Sequence, residues 1–383
     1  MSIVSALAVA AGLLALAGSA QAVFARRALW RLAARRPATA PALPASILKP
    51  LHGAEPGLAE NLAAALRQEH AAEYETLFGV SDPADSATPL AEAALAAGAA
   101  PGRLLAGGAV LGANRKVSQL VHLAAAARHP VLVAADADMR CQPDWLTAVT
   151  APLADPRIGL VTCLYRGEAG DGAFWSRFAA LAIDWQFLPN AALGEELGKA
   201  NGCYGATMAL RQETLDRIGG FEPLLPLLAD DHALGAAVRR LGLKVEVAPV
   251  LPVHVMTERG FGSLWAHELR WARTLHLLSP AGYWGLSLTY PLAWALAALA
   301  LAPGWATAGV LALALAARCY LATGVDEALG LGRRWARLAW LPMRDLLSAA
   351  VWVAALRPGQ VVWGQTRYRV GPGGEMVEAG RAR

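Results

Sequence analysis

The stretch HPVLVAADAD (residues 129–138) predicts a buried strand that ends in two aspartates separated by one residue. Two other apolar runs, ETLFGVSD (75–82) and LLPLLADD (224–231), end in aspartates in the same way. An α/β sheet presents its ligand-binding groups at the carboxyl ends of its strands. We therefore expect these side chains to form a site that can hold a nucleotide, a divalent metal and a reacting hydroxyl group. The side chains are Asp82, Asp136, Asp138, Asp230 and Asp231.

Strand-like and helix-like segments alternate around these runs from residue 46 to about residue 255. SILKPL (46–51) and IGLVTCLY (158–165) are further strand-like runs, and residues 55–68 and 116–128 have the apolar spacing of helices. Helices of this length between strands favour a largely parallel sheet that is covered on both faces. The predicted fold class is therefore α/β, with a Rossmann-like, mostly parallel sheet.

The composition indicates that the chain also enters a membrane. The 383 residues are 56% hydrophobic and the mean hydropathy is +0.36, which is too apolar for a purely soluble protein. The net charge of +4 comes mostly from arginines that flank hydrophobic stretches, which fits orientation in a bilayer rather than nucleic-acid binding. The four cysteines have no paired or Cys-x-x-Cys spacing, so we interpret them as reduced and structural.

Residues 3–24 form an uncharged run of about 20 residues, which is long enough to cross a bilayer as a helix. The sequence AGSAQA within this run is similar to a signal-peptidase site, so cleavage is the alternative. Five arginines follow between residues 26 and 36, and the usual basic region at the amino terminus of a signal peptide is missing. The positive-inside rule therefore favours a retained anchor whose amino terminus lies outside the cytoplasm.

A second apolar region begins after residue 280, and residues 281–317 carry no charge. A Pro-Gly pair divides the region into two expected spans, at roughly residues 283–302 and 305–323.

A third apolar stretch, residues 335–356, contains Arg337, Arg344 and Asp345. Charges inside a membrane segment are costly unless they are paired or face a wet cavity. The pattern leaves open whether this stretch spans the bilayer, re-enters it or lies in its interface. The basic residues that follow indicate an ordered cytoplasmic tail rather than another span.

Seven short segments are informative in combination: SILKPLHG-x-EP-x-L-x-x-NL, SDPADSA, GANRK, DADM, LADDHALG, ELRW and WGQTRYRV. Together they resemble the ceramide glucosyltransferase family, and more closely its bacterial relatives in hopanoid biosynthesis, which are inverting GT-A glycosyltransferases. The resemblance extends from about residue 46 to the tail. The organisation that we expect is an amino-terminal anchor at 1–25, a basic juxtamembrane linker at 26–45, a GT-A domain at 46–280, a membrane region at 281–356 and a tail at 357–383.

The resemblance implies transfer of a sugar from a UDP-sugar to a hydroxyl group of a membrane lipid. It implies N-acetylglucosamine and a hopanoid polyol such as bacteriohopanetetrol, with glucose and ceramide as the alternative pair. The implied location is the inner membrane of a bacterium, as a multi-pass protein whose catalytic domain faces the cytoplasm. Two other hypotheses are a processive polysaccharide synthase, which would need a translocation channel, and a transporter or scaffold with a decayed catalytic domain.

A nucleotide diphosphate leaving group needs its negative charge neutralised, and a divalent cation held by carboxylates does this. Asp136 and Asp138 are predicted to hold Mg²⁺ or Mn²⁺, with Asp136 also facing the nucleotide. The alternative is that one of the two only caps the helix that begins near Pro143.

Asp82 is predicted to accept hydrogen bonds from uracil or ribose, and the alternative is a turn residue before Pro83. Lys116, within GANRK, is predicted to approach the phosphates or to order the nucleotide pocket. Arg115 could do the same, or both side chains could be solvated.

Inverting transfer requires a base that takes the proton of the attacking hydroxyl. Asp230 and Asp231 open a helix-like segment, where free backbone N–H groups also favour carboxylates. Its place in the family motif implies that Asp231 is the base, and that Asp230 supports it or caps the helix.

The segment HELRW supplies the last predicted ligands, His267, Arg270 and Trp271, which helical spacing puts on one face. The resemblance implies that this motif binds the diphosphate and shapes the acceptor end. His267 differs from the Gln or Arg usual at its position, and a neutral histidine donates only one hydrogen bond. Trp271 also fits an aromatic residue at the bilayer interface.

Overall fold

The computed structural model describes residues 2–98, 100–198, 203–332, 335–357, 359–363, 366–371 and 373–381. The chain forms two compact units, which we call the helical unit and the sheet unit. The helical unit comprises Met1–Ala34, Arg177–Ala200 and Glu258–Val361, and the sheet unit comprises Arg35–Ser176, Asn201–Thr257 and Val362–Arg383.

Strands and helices alternate through the sheet unit, as the sequence predicts. The strands are β1 (Ala45–Pro50), β2 (Tyr74–Val80), β3 (Gly102–Ala106), β4 (Val131–Ala135), β5 (Met139–Arg140), β6 (Ile158–Cys163), β7 (Arg166–Ala169), β8 (Thr207–Arg211), β9 (Lys244–Ala248), β10 (Val253–Met256), β11 (Val361–Trp363), β12 (Thr366–Val370) and β13 (Met376–Arg381). The α-helices of the whole chain are α1 (Ile3–Ala33), α2 (Leu58–Ala65), α3 (Thr88–Ala97), α4 (Arg115–Ala126), α5 (Trp145–Thr150), α6 (Phe174–Ala182), α7 (Leu188–Glu196), α8 (Gln212–Arg217), α9 (Asp230–Arg240), α10 (Phe261–Leu278), α11 (Pro280–Gly285), α12 (Pro291–Leu301), α13 (Trp305–Ala328), α14 (Trp335–Leu338) and α15 (Leu341–Ala355).

The main sheet has the strand order β3-β2-β1-β4-β8-β6-β9. Its pairs are parallel except for β8, which runs antiparallel to both β4 and β6. This confirms the predicted α/β class with a mostly parallel sheet. Because β1, β2 and β4 are parallel neighbours, their carboxyl ends lie at one edge. The residues that follow β2 and β4 include the predicted site aspartates.

Alternate residues of the central strands enter different cores, which is what a sheet covered on both faces requires. Ile47 and Val133 belong to the core on one face of the sheet, together with Trp145. Leu48 and Leu132 belong to the core on the other face, together with Leu120 of α4. Each large apolar side chain that is fully buried in this way stabilises the fold by about 1.5–3 kcal/mol.

Two small sheets complete the sheet unit. One has the order β5-β10-β7 and lies next to the Asp136–Asp138 turn, since β5 follows that turn directly. The other, β11-β12-β13, is formed by the carboxyl-terminal residues. The expected tail is therefore folded, and its residues from Val362 onward belong to the sheet unit. The helical unit in turn includes residues 177–200 and 258–280, which we had expected in the GT-A domain.

Among the described residues of the helical unit, two helices are long and apolar enough to cross a membrane, α1 and α13. Helix α1 continues to Ala33, so the first arginines of the expected linker at 26–45 are helical. The expected span at 283–302 is not one straight helix. Its two halves, Pro280–Thr289 and Pro291–Leu301, are bent by 68°. Pro291 explains the break, because proline lacks an N–H group and disfavours helical backbone in the preceding residue.

The charged residues of the stretch 335–356 are paired within the helical unit. Arg318 of α13 donates to both carboxylate oxygens of Asp345, at 2.6 and 2.8 Å, and both side chains are buried. Arg344 pairs with Glu268 at 2.6 Å. The opposite face of α15 is apolar and exposed. This pairing removes the main cost of placing these charges at membrane depth.

Candidate active site

Lys116 lies between two of the predicted aspartates. Its Nζ atom is 2.8 Å from Oδ1 of Asp136 and 3.2 Å from Oδ2 of Asp230. Burial by itself would lower the pKa of Lys116, but Asp136 and Asp230 outweigh this effect and raise it. Arg115 beside it is exposed. The structure thus brings together the residues that follow β4, begin α4 and begin α9.

Asn114 fixes the position of Lys116. Its side-chain oxygen accepts from Val117 N at 3.0 Å and caps α4, and the side chain is fully buried. Its backbone N–H donates to Leu225 O and its side-chain amide donates to Leu227 O, each at 2.9 Å. Sequence reasoning missed this residue. The signal available was an Asn directly before a helix, inside the GANRK segment.

Asp231 is the second residue of α9, and both of its carboxylate oxygens accept backbone hydrogen bonds. Gly205 N donates to Oδ2 at 2.9 Å, and His232 N donates to Oδ1 at 2.7 Å. Burial, and then the charge of Asp230, raise the pKa of Asp231 to about 6. The N-cap of α9 is Ala229 and no side chain caps the helix, so the capping role expected for one of the aspartates was wrong. A carboxylate with this pKa is suited to accept a proton near neutral pH.

Asp136 and Asp138 lie on a tight turn between β4 and β5, where Met139 N donates to Asp136 O at 3.1 Å. Asp138 Oδ2 is 3.0 Å from Nε2 of His254, a residue of β10. Burial opposes a charged imidazole, but Asp138 outweighs it and the pKa of His254 is raised. The imidazole therefore orients the Asp138 carboxylate from behind.

Lys49 lies beneath this turn and was not predicted from the sequence. It is a fully buried residue of β1, and its Nζ donates to the carbonyl oxygens of Asp136 at 2.6 Å and Met139 at 3.1 Å. Burial lowers the pKa of Lys49, although the carboxylates of Asp136 and Asp138 act against this shift. Lys49 thus stabilises the turn through hydrogen bonds to its first and last residues.

The donors on the turn fit a hard divalent cation only in part. Asp136 and Asp138 supply carboxylate oxygens, and their side chains are 32% and 37% exposed. Within the described ranges no three His, Cys, Asp or Glu side chains are grouped so as to hold a metal. A cation at this turn would therefore take its remaining oxygen ligands from water and the diphosphate of a nucleotide, as Mg²⁺ commonly does.

Asp82 is exposed at the carboxyl end of β2, and its Oδ1 accepts from Ala84 N at 2.9 Å. The neighbouring Asp85 shapes the loop more extensively, since its Oδ1 accepts from Gly53 N and Ala87 N, each at 2.8 Å. Asp82 therefore performs the turn role that the sequence left open, and its binding to a nucleotide stays a prediction.

His267, Arg270 and Trp271 lie on helix α10 of the helical unit, which confirms that this segment is helical. His267 Nδ1 is 2.7 Å from Oε1 of the buried Glu258, and its ring packs edge-on against Trp271 with centroids 4.3 Å apart. Glu258 was not predicted. Glu258 fixes the orientation of the His267 ring, and His267 is the residue that differs from the usual motif. The binding of a diphosphate by this helix stays a prediction.

The fold and these acidic residues define the class of protein: an α/β glycosyltransferase of GT-A type with helices that could cross a membrane. The chain belongs to glycosyl transferase family 21, which it matches over residues 10–376. The expected family is thereby confirmed, and with it an enzyme that transfers a glycosyl group.

A solved structure shows the same fold. A mannosyltransferase from Pyrobaculum calidifontis, determined in complex with GDP-mannose and Mn²⁺, is 20% identical. The match covers 92% of this chain and 99% of that chain, with a TM-score of 0.51. Glucosyl-3-phosphoglycerate synthase from Mycobacterium tuberculosis, determined with Mg²⁺ and UDP, is 18% identical over 61% of this chain and 78% of that chain, with a TM-score of 0.39.

Proposed function

We propose that this glycosyltransferase moves a sugar from a UDP-sugar to a hydroxyl group of a membrane lipid, with inversion at the anomeric carbon. The observation that carries the proposal is Asp231, a carboxylate that accepts backbone hydrogen bonds from Gly205 and His232 and whose pKa is raised to about 6. Its neighbour Asp230 pairs with Lys116, which also pairs with Asp136. N-acetylglucosamine and a hopanoid polyol are the donor sugar and acceptor that the family resemblance favours.

The base chemistry follows from the environment of Asp231. As the lipid oxygen attacks the anomeric carbon, Asp231 accepts the hydroxyl proton, and the bond from that carbon to the diphosphate oxygen breaks on the opposite face. A proton acceptor with a pKa near the working pH is both deprotonated and basic enough to act. Two backbone donors fix the carboxylate, so little reorganisation is needed at the moment of reaction.

On the donor side, Asp136 and Asp138 would hold Mg²⁺ or Mn²⁺. A bound cation supplies charge neutralisation to the departing diphosphate. Lys49 and His254 keep the turn and the Asp138 carboxylate in position, and Lys116 balances the charge of Asp136. Asp82 binds the nucleoside, and His267, Arg270 and Trp271 bind the diphosphate, in the roles that the family motif gives them.

The helical unit supports a lipid acceptor. Helices α1 and α13 can cross a bilayer by length and composition, and the bent pair supplies at most one further span. We propose a multi-pass protein of the bacterial inner membrane whose sheet unit faces the cytoplasm, where UDP-sugars are made. A polysaccharide synthase would need a translocation channel, and this small number of spans disfavours one. The second candidate remains glucose transfer to ceramide.

The test is product identification. Purified protein with Mg²⁺ or Mn²⁺ is incubated with bacterial membrane lipid extract and a panel of UDP-sugars and GDP-sugars, and products are identified by mass spectrometry. We expect a glycosylated lipid from one UDP-sugar, no product in excess EDTA, and no product from Asp231→Asn. Asp216→Asn, on the exposed face of α8, is the matched control and should be fully active. Product formation from GDP-sugars alone would contradict the proposal that the donor is a UDP-sugar. Glycosylation of soluble acceptors alone would contradict the proposal that the acceptor is a lipid.

A further inference from the structure

We propose that the carboxyl-terminal hairpin of β12 and β13 is a positioning element for the catalytic base. The inference rests on the proposed function, because it concerns the segment that presents Asp231. That segment, residues 225–229, connects a short 3₁₀ turn to the start of α9 and has no regular structure of its own beyond one isolated β-bridge.

The hairpin bonds directly to this segment. Leu228 N donates to Gly374 O at 2.9 Å, and Met376 N donates to Pro226 O at 2.7 Å. Leu227 and Glu375 between them form an antiparallel bridge. The bonded residues end only two positions before Asp230, so the hairpin holds the chain directly ahead of α9.

Apolar side chains of both segments are also buried. Met376 of the hairpin is 5% exposed and Leu228 of the segment 225–229 is 7% exposed. Their burial stabilises this part of the fold in addition to the hydrogen bonds.

The other side of the segment is held by the residues around Lys116. Asn114 bonds to Leu225 and Leu227, and Gly112 approaches so closely that an added Cβ would lie 2.8 Å from the Leu225 side chain. The segment is thus held by contacts on two sides. Gly112 and Asn114 contact it on one side, and the hairpin contacts it on the other. Since α9 has no side-chain cap, these contacts replace the usual means of fixing a helix start.

Accurate placement matters because a misplacement of about 1 Å can lower turnover about 100-fold. Loss of the hairpin contact should therefore lower kcat for transfer without weakening nucleotide binding. A merely structural role would instead lower both, or neither.

The test uses Met376→Pro in the full chain, because Met376 is the first residue of β13 and proline is tolerated there while it lacks the N–H group. Met376→Leu keeps that N–H group and is the matched control. A second pair is Gly374→Val and Gly380→Val. Both glycines have positive φ, 89° and 121°, but only Gly374 bonds to the base segment.

We expect Met376→Pro and Gly374→Val to lower kcat at least about tenfold relative to their controls, with the Kd for UDP within about twofold of wild type. Hydrogen exchange of peptides covering 225–233 should rise in the same two variants only. Unchanged kcat, or parallel loss of UDP binding in a variant that stays folded, would overturn the inference.

If both variants fail to fold, the wild-type protein decides: the Leu228 amide should be protected from exchange, and rapid exchange there would overturn the inference. A wild type that forms no product while its Leu228 amide is protected would count against the proposed function instead.

Discussion

At the residue scale, the raised pKa of Asp231 predicts the pH dependence of the reaction. Asp231 must be deprotonated to act, and burial and Asp230 raise its pKa to about 6. We therefore expect kcat to fall below about pH 6 as one proton is taken up, and to level off above it. Asp230→Asn should shift this fall in kcat to lower pH, because it removes a negative charge that raises the pKa of Asp231. A kcat that rises on acidification would contradict the assignment.

The second prediction separates the two adjacent aspartates. Asp231→Asn should lower kcat by about 100-fold or more, because the amide cannot accept the proton, while UDP affinity changes little. Isothermal titration with UDP and steady-state kinetics measure the two effects, with Asp216→Asn as the control. If Asp230→Asn is the crippling change and Asp231→Asn is mild, the two roles must be exchanged.

The site residues that follow strands could be predicted from the sequence, whereas those that support them could not. Asp136 follows an apolar strand, and the sequence predicts that position. Asp230 and Asp231 also end an apolar run, but the expectation that this run is a strand was wrong, because it forms a 3₁₀ turn and an irregular segment. Lys49 interrupts an apolar strand, and its partners are carbonyl oxygens of residues 136 and 139, about 90 positions away. Nothing local to SILKPL indicates those partners, because the register between β1 and β4 creates them.

At the element scale, the turn between β4 and β5 depends on Lys49. Lys49→Met leaves two buried carbonyl oxygens without this donor, and each such loss costs about 1–3 kcal/mol. We predict that the turn loosens and that Mn²⁺ binds at least about tenfold more weakly, because Asp136 and Asp138 are no longer held in place.

Electron paramagnetic resonance of free Mn²⁺ measures this binding without an assay of activity. Lys244→Met, at the exposed start of β9, is the matched control. Equal Mn²⁺ affinity in the two variants would show that Lys49 does not act through the turn.

The elements of the sheet unit follow from apolar periodicity, but those of the helical unit do so only in part. Hydropathy identifies the stretch 283–302 without showing the 68° bend within it, since a bend leaves composition unchanged. The Tyr290-Pro291 pair was the local signal. An ordered tail was predicted, but its partner could not be, because residues 374–376 bond to a loop about 150 residues earlier, at positions 226–228.

At the scale of the whole molecule, the tail constrains the topology. The chain leaves the sheet unit after Thr257 and returns to it at Val362. Because we propose that this unit lies on one side of the bilayer, we predict an even number of crossings between these residues. Helix α13 and the bent pair Pro280–Leu301 are the two candidates for these crossings. Helix α15 has 15 residues and buried charges, and should therefore not cross.

Cysteine labelling in intact cells tests this topology. Cysteines at Glu378 in the tail and near residue 333, which lies outside the described residues, should be protected from an impermeant thiol reagent, whereas one at Ser2 should be labelled. Labelling at position 378 would show that α15 spans, and protection at position 2 would reverse the orientation of α1.

The central claim is that the sheet unit performs a single displacement with Asp231 as the base. The measurement that tests it most directly is the anomeric configuration of the glycolipid product, determined by NMR after reaction with an α-linked UDP-sugar. Attack from the face opposite the diphosphate predicts a β-glycoside. An α-glycoside would contradict the account, because retention requires a different displacement in which Asp231 does not have this role.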